Sequence, residues 1–122
     1  MGAFTATVTM SNPIFNRTNQ SAAATVDRTQ GLKLTWTGSL PGTYVLISGI
    51  STPTAVTAGY SCRVAVEAGQ FTVPSYILLG LPAGSGGTSI QQQATVSTFS
   101  ATGLDIAGVT GAIEHSVTTT YK

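Results

Sequence analysis

The fold of this chain is decided by the stretch Gly31–Gly38, which has the sequence GLKLTWTG. Apolar residues occupy every second position of it, ending with Trp36, and lysine or threonine fills the positions between them. Because successive side chains of a β-strand point to opposite faces, this pattern predicts a strand with one buried and one hydrated face. We expect Trp36, the one tryptophan of the chain, to anchor the core.

The same two-residue period recurs on both sides of this stretch, whereas helical periodicity nowhere persists beyond one turn. Glycine, proline and asparagine separate the alternating segments, as residues of turns do. Further strands are therefore predicted in segments 4–10, 42–50, 60–67, 70–73, 89–99 and 112–121. Seven or eight short strands favour an all-β fold, an antiparallel two-sheet sandwich of the immunoglobulin-like type, with a small barrel as the alternative.

The connections between these strands suggest two hairpins. Leu40-Pro41-Gly42 suits a tight turn, so the strand at 31–38 is expected to pair with the one at 42–50. Ala68-Gly69 is expected to fold the strand at 60–67 back onto its successor.

Two further segments differ from the alternating pattern. Ser75 precedes a compact apolar run bounded by glycine and proline, which predicts one short helical turn near residues 75–80. The stretch 83–87, AGSGG, is expected to be a flexible loop. It lacks the lysine of phosphate-binding loops, and no helical pattern follows it, so a phosphate site is excluded there.

The composition offers little chemistry. The 122 residues contain one histidine, one cysteine and four acidic residues against 33 serines and threonines, and the formal net charge is +1. Such a surface cannot neutralise a phosphate backbone, so nucleic acid is not expected as a partner. No apolar run approaches the roughly 18 residues of a membrane-spanning helix, so membrane insertion is not expected either. The length fits one domain over residues 1–122.

An acid–base site would have to use His115, with Asp105, Glu114, Ser100 or Ser116 brought to it by the fold. Its neighbours Glu114 and Ser116 would point to the opposite face of a strand, and the acidic residues are too scattered to mark a carboxylate pair. We therefore predict no catalytic residue, no metal site and no cofactor, and the sequence assigns no ligand-binding residue.

Cys62 and the aromatic residues are expected to belong mainly to the core. Cys62 shares the strand parity of Tyr60 and Val64, which indicates a buried small side chain and not a reactive thiol. Sugar-binding sandwiches usually present a row of exposed rings. Of the available rings of Trp36, Tyr44, Tyr60, Tyr76 and Tyr121, only those of Tyr76 and Tyr121 are expected to be exposed, because they lie near predicted ends. The alternation places Trp36 and Tyr60 inside.

Three parts of the chain together resemble a known family. They are QGLKLTWTG at 30–38, then YSC at 60–62 with AGQFTVP at 68–74 and LGLP at 79–82, then GLDI at 103–106. The combination resembles the uncharacterised C-terminal domain that ends many long secreted proteins of acidobacteria of the Solibacter type. The resemblance implies an extracellular bacterial β-sandwich module at the C-terminus of a larger protein, and it implies no activity and no site residue.

These observations predict a non-catalytic, secreted structural or adhesive module that contacts a protein, a cell surface or a polysaccharide. One alternative is a carbohydrate-binding module with two or three exposed rings. Another is a self-assembling fibre subunit in which strand 4–10 or strand 112–121 pairs with the open edge of the next copy. The start, Met1-Gly2-Ala3-Phe4, lacks the pattern of a signal peptide, so an export signal is expected to lie upstream.

Overall fold

The computed structural model describes residues 3–38 and 40–122, so Met1 and Gly2, at the start considered above, lie outside it. The described residues form an all-β sandwich, as predicted. Their strands are β1 (Asn16–Arg17), β2 (Thr25–Val26), β3 (Leu32–Thr37), β4 (Tyr44–Ser51), β5 (Ala58–Ala65), β6 (Gln70–Val73), β7 (Gly84–Gln93), β8 (Ser97–Phe99), β9 (Ala107–Val109) and β10 (Ala112–Tyr121). One helical turn, α1 (Ser75–Leu78), and 3₁₀ turns at Gln20–Ala23 and Val66–Ala68 complete them.

The strands form two main sheets and a small third one. The first is five-stranded with the order β2-β10-β7-β4-β5, the second is three-stranded with the order β1-β3-β6, and β8 pairs with β9 alone. All pairs are antiparallel except that of β2 with β10, which is parallel over two residues. The described residues form ten strands and not the predicted seven or eight. Four of these, β1, β2, β8 and β9, have only two or three residues each, too few to show alternation in the sequence.

The core lies between the two main sheets and depends on β3. Leu32, Leu34 and Trp36 of β3 are buried, and they belong to one cluster with Val45 and Ile47 of β4. The indole Nε1 of Trp36 donates to the carbonyl oxygen of Val66 at 2.8 Å. A buried indole that is also hydrogen-bonded fixes the strand in place, so the prediction that Trp36 anchors the core is confirmed.

Both predicted hairpins are wrong, because each turn carries the chain from one sheet to the other. β3 pairs with β1 and β6, and β4 pairs with β5 and β7. The apolar faces of β3 and β4 pack on each other across the core, which is possible only if the two strands belong to facing sheets. The 3₁₀ turn Val66–Ala68 takes the chain across in the same way between β5 and β6.

The predicted strand at 4–10 is also wrong. Ala6, Val8 and Met10 are half-buried and the threonines between them are exposed, so the alternation is real, but the segment belongs to no sheet. Val8 and Met10 lie instead beside Gly111, just before the start of β10, and Phe4 lies beside β8. The rings of Phe4 and Phe99 stack with their centroids 4.9 Å apart.

The glycine-rich stretch is not a loop, since β7 begins at Gly84. The strand at 89–99 is likewise corrected: β7 ends at Gln93, and β8 begins at Ser97. The main-chain N–H of Ala94 donates to the carbonyl oxygen of Gly111 at 2.8 Å, so β8 and β9 continue the hairpin of β7 and β10. The helical turn α1 is confirmed, although its N-cap is Pro74 and not Ser75.

Candidate functional site

His115 lies on β10, half-buried, facing β1. Its Nε2 lies 3.3 Å from the carbonyl oxygen of Phe15, and the two rings are tilted with centroids 5.9 Å apart. Glu114 and Ser116 are exposed on the other face of the strand, as expected. Asp105 and Ser100 line a shallow depression near β8 and β9 that His115 does not line. The described structure therefore brings none of the considered partners to the imidazole, which packs β1 against β10.

Residues 3–38 and 40–122 contain no group of three or more histidine, cysteine, aspartate or glutamate side chains that could hold a metal ion. Cys62 lies half-buried on the inner face of β5 and packs against the core cluster. Burial raises the pKa of its thiol. A thiol that resists ionisation is a poor nucleophile, so Cys62 has the character of a core residue.

We expect Cys62 of the folded protein to react with iodoacetamide several times more slowly than the same residue in urea, because the thiolate is the reacting species and burial disfavours it. Mass spectrometry of samples quenched over time measures both rates. The difference between the rates in the folded and the urea-unfolded protein should become smaller as the pH rises through the raised pKa of the folded Cys62 thiol. Equal rates at neutral pH would show that Cys62 is accessible and unperturbed.

The exposed tyrosines among the described residues are only partly those predicted from the sequence. Tyr76, on α1, is 75% exposed, as predicted, but Tyr121 is only 1% exposed, so that prediction is wrong. Trp36 is buried and Tyr60 is half-buried. Tyr44 of β4 is 48% exposed, so the prediction that only Tyr76 and Tyr121 would be exposed is wrong for Tyr44 as well. The two most exposed tyrosines thus lie on different elements and cannot form one platform.

Tyr121 is buried because its hydroxyl belongs to a polar cluster between the sheets. That hydroxyl donates to the carbonyl oxygen of Gly87 at 3.0 Å and lies 2.9 Å from Oγ1 of Thr88. Oγ1 of Thr119 donates to the same threonine at 2.8 Å. These bonds satisfy polar groups in a dry environment, where an unpartnered group is costly.

The side chains of Tyr60 and Arg17 are also buried polar groups of the core, but their polar atoms have no hydrogen-bond partner in the described residues. The hydroxyl of Tyr60 is buried and unpartnered, and burial raises its pKa. Arg17 is 5% exposed, and none of its three guanidinium nitrogens has a partner in the described residues. Desolvation lowers the pKa of this guanidinium. A charged group in such a position destabilises the fold.

A cavity of about 520 Å³ opens on the outer face of the five-stranded sheet, meaning the face turned away from the three-stranded sheet. β4, β5 and the end of β7 supply its walls. The guanidinium carbon of Arg63 lies 3.8 Å from the centroid of the Tyr44 ring, a cation–π contact. Leu46 of β4 pairs with Arg63 in register and gives the floor an apolar part. Gln93 stands at the opposite wall.

β5 forms an open edge of the same sheet. Among the described residues it pairs with β4 on one side and with nothing on the other. Its inward-facing residues Tyr60, Cys62 and Val64 are half-buried, whereas Val45 and Ile47 of the neighbouring strand are fully buried. The core is therefore only partly covered along this edge.

Comparison of the chain with protein-family models, with curated proteins and with solved structures found no match. None of the helices in the described residues has the length and apolarity needed to cross a membrane.

Proposed function

We propose that this domain is a non-catalytic structural or adhesive interaction module of the immunoglobulin-like type, which acts outside the bacterial cell as the C-terminal part of a larger protein. The family resemblance of segments 30–38, 60–62 and 68–74 supports the extracellular setting. A surface rich in hydroxyl groups and poor in charge supports a role in short-range contact, since it provides little electrostatic steering.

The observation that carries this proposal is the open edge of β5. The strand is eight residues long, and every second residue along it turns its main-chain N–H and C=O groups away from β4, where a partner strand could bind them. Proteins usually protect such edges with charges, prolines or bulges, whereas β5 contains no proline and only Arg63 as a charged residue. An added strand would gain main-chain hydrogen bonds and would cover the half-buried side chains of Tyr60, Cys62 and Val64.

A second candidate function, assembly of copies by strand exchange, is favoured by segment 4–10, here called the N-terminal arm. Within the described chain its main-chain groups take part in no hydrogen bond with other main-chain groups. The arm has seven residues, which suits the eight of β5. Placed beside β5 of a second copy, Ala6, Val8 and Met10 would extend the core, and the threonines between them would join the hydroxyl-rich outer face.

We expect the protein to self-associate with rising concentration, and Ser61→Lys to weaken that association by about tenfold, equivalent to about 1.4 kcal/mol. Lysine on an edge strand opposes pairing, because its charge on the outer face would lie beside the side chains of the incoming strand. Sedimentation velocity over a concentration series measures the effect. The matched control is Ser48→Lys, because Ser48 is the cross-strand partner of Ser61 but lies on β4, which already has a neighbour on each side.

A synthetic peptide of the arm, residues 3–12, should protect the amides of β5 from hydrogen exchange. Wild-type protein that stays monomeric over the whole series would contradict strand exchange between copies. If the peptide also left the exchange of β5 unchanged, strand addition at this edge would be wrong. An equal effect of Ser48→Lys and Ser61→Lys would place the association on the outer face and not on the edge.

A further inference from the structure

The outer-face cavity lies on the face of the sheet and not along the main-chain edge used in strand addition, although β5 supplies one of its walls, and its geometry points to a small ligand. Its volume of about 520 Å³ lies within the range of small-molecule sites. The side chains that line it are Thr43, Tyr44, Leu46, Arg63, Gln93 and Thr95. We infer that this cavity binds a short neutral saccharide, recognised through adjacent hydroxyl groups by Arg63 and Gln93 and through its C–H face by Tyr44 and Leu46.

The guanidinium of Arg63 is prepared for such a ligand. Its stack on Tyr44, with 3.8 Å between the guanidinium carbon and the ring centroid, restricts its orientation. Within the described chain no carboxylate lies within 4.0 Å of it, so no ion pair occupies its donors. A planar guanidinium presents its N–H groups as a fork, which matches two neighbouring oxygen atoms of a ligand.

Gln93 adds the complementary polar group on the other wall. Its carboxamide can both donate and accept, as a sugar hydroxyl can. It is exposed, and its Nε2 makes only a long contact of 3.5 Å with Oε1 of Gln91. By contrast, Thr43 is already engaged, since its hydroxyl donates to the carbonyl oxygen of Leu40 at 2.6 Å and accepts from Gln92 at 3.1 Å. Recognition therefore falls mainly to Arg63 and Gln93.

The charge at the rim favours a neutral ligand over an anion. Oε1 of Glu67 accepts the main-chain N–H of Gly42, a residue that lines the cavity, at 2.5 Å. This hydrogen bond holds the pKa of Glu67 below its ordinary value, so the carboxylate is charged at neutral pH. The negative charge of Glu67 at the rim offsets the positive charge of Arg63, so the site carries no net charge, which suits a neutral polyol.

The shape of the site also restricts the class of saccharide. Tyr44 is the one aromatic residue among the described residues that line the cavity, so the cavity offers no flat row of rings for the surface of a crystalline polysaccharide. A concavity with a single ring instead suits a few sugar units of a soluble chain. This inference is independent of strand addition at β5.

The test is a titration of the ¹⁵N-labelled protein with soluble hexasaccharides of glucose, xylose, mannose and N-acetylglucosamine, followed by NMR. At least one of them, at millimolar concentration, should shift the amide and side-chain resonances of Tyr44, Arg63 and Gln93. Arg63→Met keeps the aliphatic stem but loses the donors, so it should weaken binding by about tenfold to a hundredfold. Lys33→Met, which removes an exposed cation from β3 in the other sheet, should leave binding unchanged.

Absence of shifts with all four sugars would overturn the inference. So would shifts confined to residues outside the cavity, or an equal loss of affinity in Arg63→Met and Lys33→Met. Polyglutamate serves as the competing probe: if it moved the resonances of Arg63 while no sugar did, the site would recognise carboxylates. The β5 exchange experiment is unaffected by any of these results, so the two proposals fail separately.

Discussion

Replacing Gly86 with alanine should lower the free energy of unfolding by about 3 kcal/mol, because the added methyl group would overlap main-chain atoms. A Cβ at this position would collide with the carbonyl oxygen of Ile50 and lie 2.8 Å from the carbonyl carbon of the same residue. Gly86 pairs with Ser51, so β4 and β7 would have to separate at the point where they meet. Urea denaturation followed by circular dichroism measures the loss.

Gly87→Ala is the matched control, since it makes the same change one residue further along β7. The nearest atom to a Cβ there is the carbonyl oxygen of Val117 at 3.7 Å, an ordinary contact. Alanine restricts the unfolded chain more than glycine does, so this variant should be neutral or up to about 1 kcal/mol more stable. Similar losses in both variants would mean that β7 does not tolerate any side chain at its start, and the close approach to Ile50 would not be the cause.

Replacing Arg17 with methionine should raise the free energy of unfolding by about 1 to 4 kcal/mol. The three guanidinium nitrogens are buried without partners in the described residues, and the neighbouring Tyr60 is not a counter-charge, because burial raises the pKa of its hydroxyl. Folding therefore removes the guanidinium charge from water, and no hydrogen bond or ion pair in the described residues compensates for the lost hydration. Methionine has a similar unbranched shape and needs no hydrogen bond. Thermal and urea unfolding measure the gain.

Arg28→Met is the control for this variant, and the opposite sign is expected. Nη1 of Arg28 donates to the carbonyl oxygen of Leu81 at 2.6 Å, and its Nε donates to that of Lys122 at 3.1 Å. Loss of these charge-assisted bonds should destabilise the protein by about 1 to 3 kcal/mol. If Arg17→Met were destabilising as well, a favourable interaction would have to stabilise the guanidinium of Arg17. The description of this guanidinium as buried without partners would then be wrong.

Period-two alternation predicted the longer strands and their buried faces, but it missed the short strands β1, β2 and β9 and predicted a strand at 4–10 that belongs to no sheet. β3 and β10 lie within a residue or two of the predicted ranges, and Trp36 is buried as expected. The pairing of strands could not be predicted in the same way. A turn such as Leu40-Pro41-Gly42 can join two neighbours in one sheet or two strands of facing sheets, and the choice depends on which apolar faces meet across the core.

The same limit explains the errors at the ends of the sheet. The glycines that begin β7 have the composition of a loop. Gly86 is required there because the main chain of Ile50, which is distant in sequence, approaches it closely. The N-terminal arm shows the alternation of a strand, yet its main chain forms no hydrogen bonds with the main chain of any strand in the described residues. The local alternation of residues indicates the propensity to form a strand, but it does not show which other strand will lie beside it in the sheet.

The candidate site was beyond prediction from the sequence for a related reason. Tyr44 and Arg63 meet diagonally across β4 and β5, so only the register of that pair, in which Leu46 faces Arg63, brings them together. Arg17 stands in a polar segment without apolar periodicity, and nothing in its neighbours indicates burial. Both features depend on contacts between strands that are distant in sequence.

The continuation of β7 and β10 into β8 and β9 has a practical consequence. No residue between 95 and 111 belongs to the buried core cluster, and the connecting segment 100–106 is mostly exposed. Lengthening a surface connection costs only a slowly growing closure entropy. Foreign peptides could therefore be inserted between Ser100 and Ile106 and displayed on a constant scaffold, with the ladder of the hairpin holding their ends at a fixed separation.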